Sequence, residues 1–191
     1  ERAEDGTRKV AFTGELWIEQ EDFQEVPPPK YFRLSPGREV RLRGAYFVTA
    51  TDVVKDDEGN VVEVLATYDP ETKGGNAPDG RRVKSTMHWV SAAHAVPGTV
   101  ALYDRLFSVE RPDAVRDPAT GEYVDFTQFL NPASLQTITG HVEACVADAS
   151  PETRYQFERV GYFVTDRVDH RPGERVVFNR TVALKDGFTA K

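Results

Sequence analysis

Three residues of the segment HWVSAAHA, namely His88, Ser91 and His94, have side chains that can bind a metal or attack a carbonyl group. On an extended strand His88 and His94 share one face but lie about 20 Å apart, too far to bind one metal unless the chain turns between them. Ser91 lacks the glycine-flanked turn of a hydrolase nucleophile, and no acid is placed to orient His94. Because Trp89 and Val90 indicate packing, we predict a structural role for this segment and disfavour a hydrolase.

Two other segments contain residue types that bind unpaired nucleotides. KYFR, residues 30–33, places two basic side chains beside two aromatic rings, and unstacked bases stack on rings while basic groups contact phosphates. In YQFER, residues 155–159, Gln156 and Glu158 share one face of a predicted strand. Amide and carboxylate groups on such a face can hydrogen-bond to base edges, and an ordinary solvated polar face is the alternative.

The distribution of charge fits a local contact with nucleic acid better than the net charge does. The 191 residues have a formal net charge of −7, which disfavours a polyanionic partner for the surface as a whole. One short stretch, residues 30–43, is instead basic: it contains Lys30, Arg33, Arg38, Arg41 and Arg43 against Glu39 alone. Such a stripe predicts a bounded contact with a phosphate backbone, and a solvated strand face is again the alternative.

Other kinds of site are disfavoured by the sequence. Cys145 is the only cysteine, so neither an intrachain disulfide nor a cysteine-based zinc site can form, in agreement with a reducing compartment. The segment GGNAPDGRR lacks the lysine and hydroxyl residue of a phosphate-binding loop. The apolar runs are too short for a membrane span, and no signal peptide is recognisable. Since the sequence begins with Glu1 rather than Met, we expect a piece of a longer protein.

Hydrophobic residues mostly alternate along the chain, which predicts an all-β fold. The turn cluster DDEGN separates two alternating runs, so residues 45–68 are predicted to form a β-hairpin. TITGHVEACVAD, RYQFERVGYFVTD and RVVFNRTVALKD are each predicted to form one strand, and DFTQFL a short helix. No amphipathic segment of helical period and ten or more residues is present. Short strands at this spacing favour barrels or a sandwich.

Long motifs of the chain resemble the C-terminal anticodon-binding region of bacterial-type glutaminyl-tRNA synthetase, a class I aminoacyl-tRNA synthetase. The resemblance covers residues 10–186. It is carried by FTGELWIEQEDF, REVRLRGAY, STMHWVSAAHAVPGTVALYDRLFSV, NPASL, YQFERVGYF and VVFNRTVALKD. It implies two six-stranded β-barrels, with the distal barrel inserted into the proximal one. Residues 30–108 would form the distal barrel, and residues 1–29 with 109–191 the proximal barrel.

The resemblance also implies which residues contact the anticodon. Arg33 corresponds to an arginine that reads the third anticodon base, and Arg41 to one that engages the first base and its phosphate. Gln156 and Arg159 correspond to positions at the middle uridine, with Glu158 beside them. These assignments follow from matched motif positions and are expectations for this chain.

The KYFR segment departs from the family at two positions. Tyr31 matches the tyrosine of the family, whereas Phe32 stands where lysine is common and Lys30 where glutamine is common. The resemblance therefore predicts anticodon contacts at Lys30 and Tyr31, with the basic group shifted by two residues.

The function that the resemblance implies is recognition of the anticodon loop of tRNA(Gln). An upstream catalytic domain would perform ATP-dependent glutaminylation with magnesium, while these 191 residues would hold neither catalytic groups nor a cofactor. A monomeric cytoplasmic parent enzyme without DNA or membrane partners is expected. The alternatives are the corresponding region of a non-discriminating or archaeal/eukaryotic-type glutamyl-tRNA synthetase, and a β-barrel interaction module that binds no RNA.

Overall fold

The computed structural model describes residues 6–74 and 76–184, which fold into two compact units that divide between residues 95 and 96. We call them the N-terminal unit and the C-terminal unit. Eleven strands in the described residues form three sheets, and each helix found there is a 3-10 helix of three or four residues. The prediction of an all-β fold is confirmed. None of these helices is long or apolar enough to cross a membrane.

The N-terminal unit contains a four-stranded sheet and a two-stranded sheet. Its strands are β1 (Leu16–Trp17), β2 (Glu39–Leu42), β3 (Phe47–Lys55), β4 (Val61–Asp69), β5 (Thr86–Met87) and β6 (Val90–Ser91). The larger sheet has the order β4-β3-β2-β5, with β2 and β5 parallel and the other pairs antiparallel. The smaller sheet pairs β1 with β6. Short 3-10 helices span Gln20–Asp22 and Pro70–Thr72.

The predicted hairpin at residues 45–68 is confirmed as the antiparallel pair β3 and β4. Its turn forms because the Asp56 carboxylate accepts hydrogen bonds from the backbone N–H of Glu58 at 3.0 Å and of Asn60 at 2.8 Å. Gly59 has φ +87°, which an L side chain rarely adopts. A short polar turn between two alternating runs was thus a reliable signal.

The core of the N-terminal unit lies on the inner face of this sheet. Val40 and Leu42 are buried on β2, as their alternation with charged residues predicts, while Arg41 between them is only half-buried. Trp89 is buried as well, and its indole N–H donates to the backbone O of Arg43 at 3.0 Å. Phe12 packs edge-on against the Trp89 ring with centroids 5.4 Å apart. The tryptophan of HWVSAAHA therefore belongs to the core.

The C-terminal unit is built on one five-stranded mixed sheet. Its strands are β7 (Val96–Tyr103), β8 (Leu135–Val142), β9 (Arg154–Phe157), β10 (Gly161–Thr165) and β11 (Val176–Ala183). The order is β8-β7-β11-β10-β9, with β7 and β11 parallel. Three 3-10 helices span Pro112–Ala114, Phe126–Phe129 and Ala144–Val146, the second within the predicted DFTQFL helix.

Aromatic rings fill the core of the C-terminal unit. Phe178 and Phe163 are 0% and 3% exposed, and they pack with the buried Val146 and Val176. Tyr155 and Phe157 of β9 both contact the Phe178 ring, with centroids 5.7 and 5.1 Å away. These contacts fix the face of β9 that points into the core and leave Gln156 exposed on the opposite face.

The prediction of a single strand over RYQFERVGYFVTD was wrong, because the segment is a hairpin of β9 and β10. The chain reverses after Phe157, whose backbone O accepts from Val160 N at 3.0 Å. Arg159 has φ +62°, a left-handed conformation that ends the strand. Gly161 then follows in close contact with β11, where a Cβ atom would collide with the backbone O of Val182. The two predicted six-stranded barrels, and their boundaries at residues 30–108, stay predictions.

The Thr72 side chain provides a test of what stabilises the N-terminal unit, because its hydroxyl is buried and makes two hydrogen bonds. Thr72 is 0% exposed, and its Oγ1 accepts from Phe47 N at 2.8 Å and donates to Asp69 O at 2.7 Å. We expect Thr72→Val to lower the free energy of unfolding by about 1–3 kcal/mol, since both backbone groups lose their partner in a dry site. Thr72→Ser, which keeps the hydroxyl, should lose less in the same urea titration; equal losses would contradict this role.

Candidate nucleic-acid interface

The basic KYFR segment lies at the end of an irregular stretch, residues 24–33, which we call the 24–33 loop. Both of its ends are fastened by backbone hydrogen bonds to one residue. Leu34 N donates to Asp22 O at 3.0 Å, and Gln24 N donates to Leu34 O at 3.1 Å. The two bonds close the loop at its base, so the side chains near its C-terminal end are held at a defined place on the N-terminal unit.

A buried carboxylate positions Arg33. The Asp22 side chain is 2% exposed, and its Oδ1 lies 2.8 Å from Nη1 of Arg33, whose side chain is 22% exposed. The same Nη1 donates to the backbone O of Glu21 at 3.2 Å. A charge-assisted hydrogen bond in so dry a place is strong and directional. Asp22 and the backbone of Glu21 therefore hold Arg33 through one nitrogen of its guanidinium group, Nη1.

Tyr31 is held by the same backbone group, so the structure brings two predicted contact residues together. Its hydroxyl donates to Glu21 O at 3.1 Å, and Arg38 Nη1 donates to the backbone O of Tyr31. Lys30 precedes it with φ +67° and an exposed side chain. Arg33 and Tyr31 thus meet at Glu21, and Lys30 points to solvent at the adjoining bend. Their roles in binding stay predictions.

Arg41 lies on β2 of the same unit, with its guanidinium above an aromatic ring. Its Cζ is 5.4 Å from the centroid of Phe47, a fully buried residue that pairs with it across the sheet. The Nε atom is buried without a hydrogen bond, so cation–π attraction is the interaction that orients the group. Arg43 is exposed and lies beyond this strand, because β2 ends at Leu42.

Sequence reasoning missed a cluster of charged side chains in the N-terminal unit, which is centred on Arg81. Its guanidinium forms ion pairs with Glu39 at 3.0 Å, with Asp79 at 2.7 Å and with Asp69. Hydrogen bonds from Arg81 are the largest cause that lowers the pKa of Asp69, and the backbone N–H of Arg81 is the largest for Asp79. The same three carboxylates raise the pKa of Arg81 itself. The Arg81 guanidinium is therefore engaged in ion pairs with carboxylates of its own unit.

The residues predicted for the middle base lie in the C-terminal unit. Gln156 is exposed on β9 opposite Tyr162. The prediction that Glu158 shares its strand face was wrong, because β9 ends at Phe157 and Glu158 belongs to the turn. Glu158 and Arg159 are half-buried in that turn. The left-handed backbone of Arg159 determines how this group of side chains is presented.

The HWVSAAHA segment forms a small hydrogen-bonded network. The Ser91 hydroxyl is buried, 2.8 Å from Thr13 Oγ1 and 3.1 Å from His94 Nδ1. Backbone N–H groups of His94 and Ala95 also bond to Ser91 O, at 3.2 and 2.8 Å. A buried serine in such a network connects β6 to the turn that follows it, in agreement with a structural role for this segment. Within residues 6–74 and 76–184, no group of three His, Cys, Asp or Glu side chains is arranged to hold a metal.

An all-β chain with a basic loop fastened at its base has the character of a domain that binds RNA loops. Residues 1–69 and 86–166 match two family models, each described as the anticodon-binding domain of class I (E and Q) tRNA synthetases. The chain belongs to this family, and the resemblance inferred from its motifs is confirmed.

Curated proteins similar to this chain include glutamine–tRNA ligases. Those of Chromobacterium violaceum and Nitrobacter hamburgensis are 55% and 58% identical over 183 and 181 residues, which is 96% and 95% of this chain. That of Vibrio cholerae is 49% identical over 187 residues, or 98% of this chain. The matched parts are 32%, 30% and 32% of the three relatives. The chain thus spans about a third of the length of the curated relatives it matches.

Substitution of Asp22 tests whether the buried ion pair holds the loop. We expect Asp22→Asn to lower the free energy of unfolding by about 1–3 kcal/mol, because the Arg33 guanidinium loses its ionised partner in a mostly dry site. Glu25→Gln is the matched control, since the Glu25 carboxylate pairs with Lys55 at 2.7 Å while both side chains are more than 40% exposed. That change should cost less than about 1 kcal/mol. Equal losses in chemical denaturation would contradict the special role of Asp22.

Proposed function

We propose that this chain is the anticodon-binding part of a glutamine–tRNA ligase and that it binds the anticodon loop of tRNA(Gln). The observation that carries the proposal is the coincidence of two features. The match to an anticodon-binding domain spans residues 1–69, and within that span lies the basic loop closed by Asp22 and Leu34. Because the similar proteins are glutamine–tRNA ligases, we favour tRNA(Gln) over a tRNA read by a glutamyl-tRNA synthetase.

The charges near the loop suit a phosphate backbone despite the net charge of −7. Glu39, the one acid among residues 30–43, is paired with Arg81. Asp22 beneath the loop is paired with Arg33. Exposed Lys30 and half-buried Arg41 therefore lie in a region where these two carboxylates are engaged in ion pairs. This supports RNA binding over an interaction module without RNA.

Reading of the bases would divide between the two units. Arg33 contacts Asp22 and Glu21 through Nη1, so its Nη2 and Nε side would form the two parallel bonds that recognise O6 and N7 of guanine, the third anticodon base. Gln156 offers a donor and an acceptor to the splayed middle uracil, with Glu158 and Arg159 beside it. Arg41 would contact a phosphate and the first base.

The parent enzyme would supply the chemistry. An upstream domain would bind ATP with magnesium and transfer glutamine in the cytoplasm, while the present residues select the tRNA. We propose that the chain forms two six-stranded β-barrels. Residues 30–108 would form the distal barrel, which carries Arg33 and Arg41, and residues 1–29 with 109–191 the proximal barrel, which carries Gln156. A monomeric parent completes the proposal.

Base discrimination tests the assignment of Arg33 without breaking its ion pair. Arg33→Lys keeps a cation for Asp22 but loses the planar fork that matches guanine. We expect it to reduce the preference for guanosine at the third position by about 1–3 kcal/mol, measured as binding of RNA stem–loops that differ at one anticodon base. Gln156→Ala should do the same at the middle base only. A variant Arg33→Lys that still prefers guanosine at the third position would refute the assignment.

Arg41 is expected to act through charge. Arg41→Ala should weaken all stem–loops evenly and reduce the slope of log affinity against log salt by about 0.7, the loss of one single-stranded phosphate contact. Arg41→Lys should retain most of the slope. An Arg41→Ala variant with an unchanged slope and altered preference for the first base would show that Arg41 reads the base alone.

A further inference from the structure

Phe32 interrupts the basic KYFR segment, and the ammonium group of a lysine lies over its ring. Phe32 is 45% exposed, and Nζ of Lys84 lies 4.6 Å from the centroid of its ring. An ammonium group at this distance is attracted to the negative face of the ring. The 24–33 loop therefore presents a positive charge at position 32, although the residue there is apolar.

The backbone beside Lys84 is fixed against the strand that carries Arg41. Ser85 O accepts a hydrogen bond from Arg41 N at 3.0 Å, and Thr86 pairs with Arg41 in the parallel register of β2 and β5. Lys84 thus extends from the neighbourhood of Arg41 to the ring of Phe32. The contact links the loop that holds Arg33 to the strand that holds Arg41.

Lys84 differs from Arg81, its near neighbour in sequence, in how its charge is used. Arg81 binds three carboxylates. Across the described part of the chain, no carboxylate lies within ion-pair distance of Lys84, whose side chain is exposed. An aromatic ring orients a cation without neutralising it, so the charge of Lys84 is still available to an anion.

We propose that Lys84 contacts a phosphate of the bound anticodon loop and that Phe32 is the positioning residue that holds its ammonium there. The inference rests on the proposed function and deepens it. A mobile four-carbon side chain loses conformational entropy when it binds a phosphate, and the ring removes part of that loss by holding the side chain beforehand. Phe32 is then compatible with the basic surface around it.

The salt dependence of RNA binding tests Lys84 directly. The probe is a stem–loop with the anticodon of tRNA(Gln), titrated with this full chain at 50 and 200 mM salt. Lys84→Ala should lower the slope of log affinity against log salt by about 0.7. The unsubstituted protein binds more tightly than the variant, and this advantage should be about 2.5-fold smaller at 200 mM than at 50 mM salt. Lys9→Ala removes an exposed lysine of the same unit and should leave the slope unchanged. A Lys84→Ala slope equal to that of Lys9→Ala would overturn the proposal.

A double-mutant cycle separates positioning by Phe32 from stacking of a base on its ring. Phe32→Leu keeps apolar bulk but removes the π face, so it should weaken binding when Lys84 is present and have no further effect after Lys84→Ala. Phe32→Trp should retain affinity. If Phe32→Leu weakens binding equally in both backgrounds, the ring contacts the RNA itself and the positioning role is wrong.

The behaviour of the unsubstituted chain distinguishes the two proposals. Salt-dependent binding of the tRNA(Gln) stem–loop, together with unchanged Lys84 and Phe32 variants, would refute the present inference alone. Failure of the unsubstituted chain to prefer this stem–loop over one with an unrelated anticodon would refute the proposed function, and with it the role of Lys84. Circular dichroism of each variant shows whether a loss of binding reflects a loss of fold.

Discussion

The ion pair between buried Asp22 and Arg33 is the interaction on which the arrangement of the 24–33 loop depends. The loop contains three consecutive prolines, residues 27–29, which have no N–H group and cannot join a ladder of backbone hydrogen bonds. It is instead closed at its base by two bonds to Leu34 and by the ion pair. Proline also restricts the unfolded chain, so ordering this loop costs less entropy than ordering a loop of flexible residues.

An acidic protein meets a polyanion with less electrostatic repulsion where its own acids are paired with basic side chains. In the N-terminal unit this is achieved by Arg81, which binds Glu39, Asp69 and Asp79 together. At physiological ionic strength, exposed charges are screened over about 8 Å, so a local balance of charge matters more than the total. The net charge of −7 and a locally basic loop are therefore compatible. Arg81, which lies outside residues 30–43, adds to the basic character of that stretch by pairing with its one acid, Glu39.

The parts of the structure that the sequence predicted are those determined by local pattern. The hairpin of β3 and β4 follows from alternation on both sides of a polar turn, and the family follows from long motifs. The break at Arg159 could not be predicted in this way, because apolar residues continue on both sides of it. Gly161 was the available signal, since a glycine within a strand pattern often marks a bend or a close approach of backbone.

Contacts between residues far apart in sequence were beyond such reasoning. Asp22 is one acid among eight in the first 29 residues, and nothing local distinguishes it in sequence as the one that is buried under Arg33. Lys84 follows a polar loop that has no period, so its position over Phe32 depends on the pairing of β2 with β5. Contacts that are set by tertiary structure could be identified only from the structure.

The position of β11 at the centre of its sheet has a consequence for synthesis of the protein. Among the strands of residues 6–74 and 76–184, β11 comes last in sequence, yet it lies between β7 and β10 and pairs with both. As the chain leaves the ribosome, the hairpin of β9 and β10 can form early, whereas β7 has no inner neighbour until residues 176–183 emerge. Parallel pairing of segments so distant in sequence is slow, because the intervening chain must be ordered first. Until then the aromatic residues that later surround Phe178 are exposed, and such exposed apolar surface makes incomplete chains prone to aggregation.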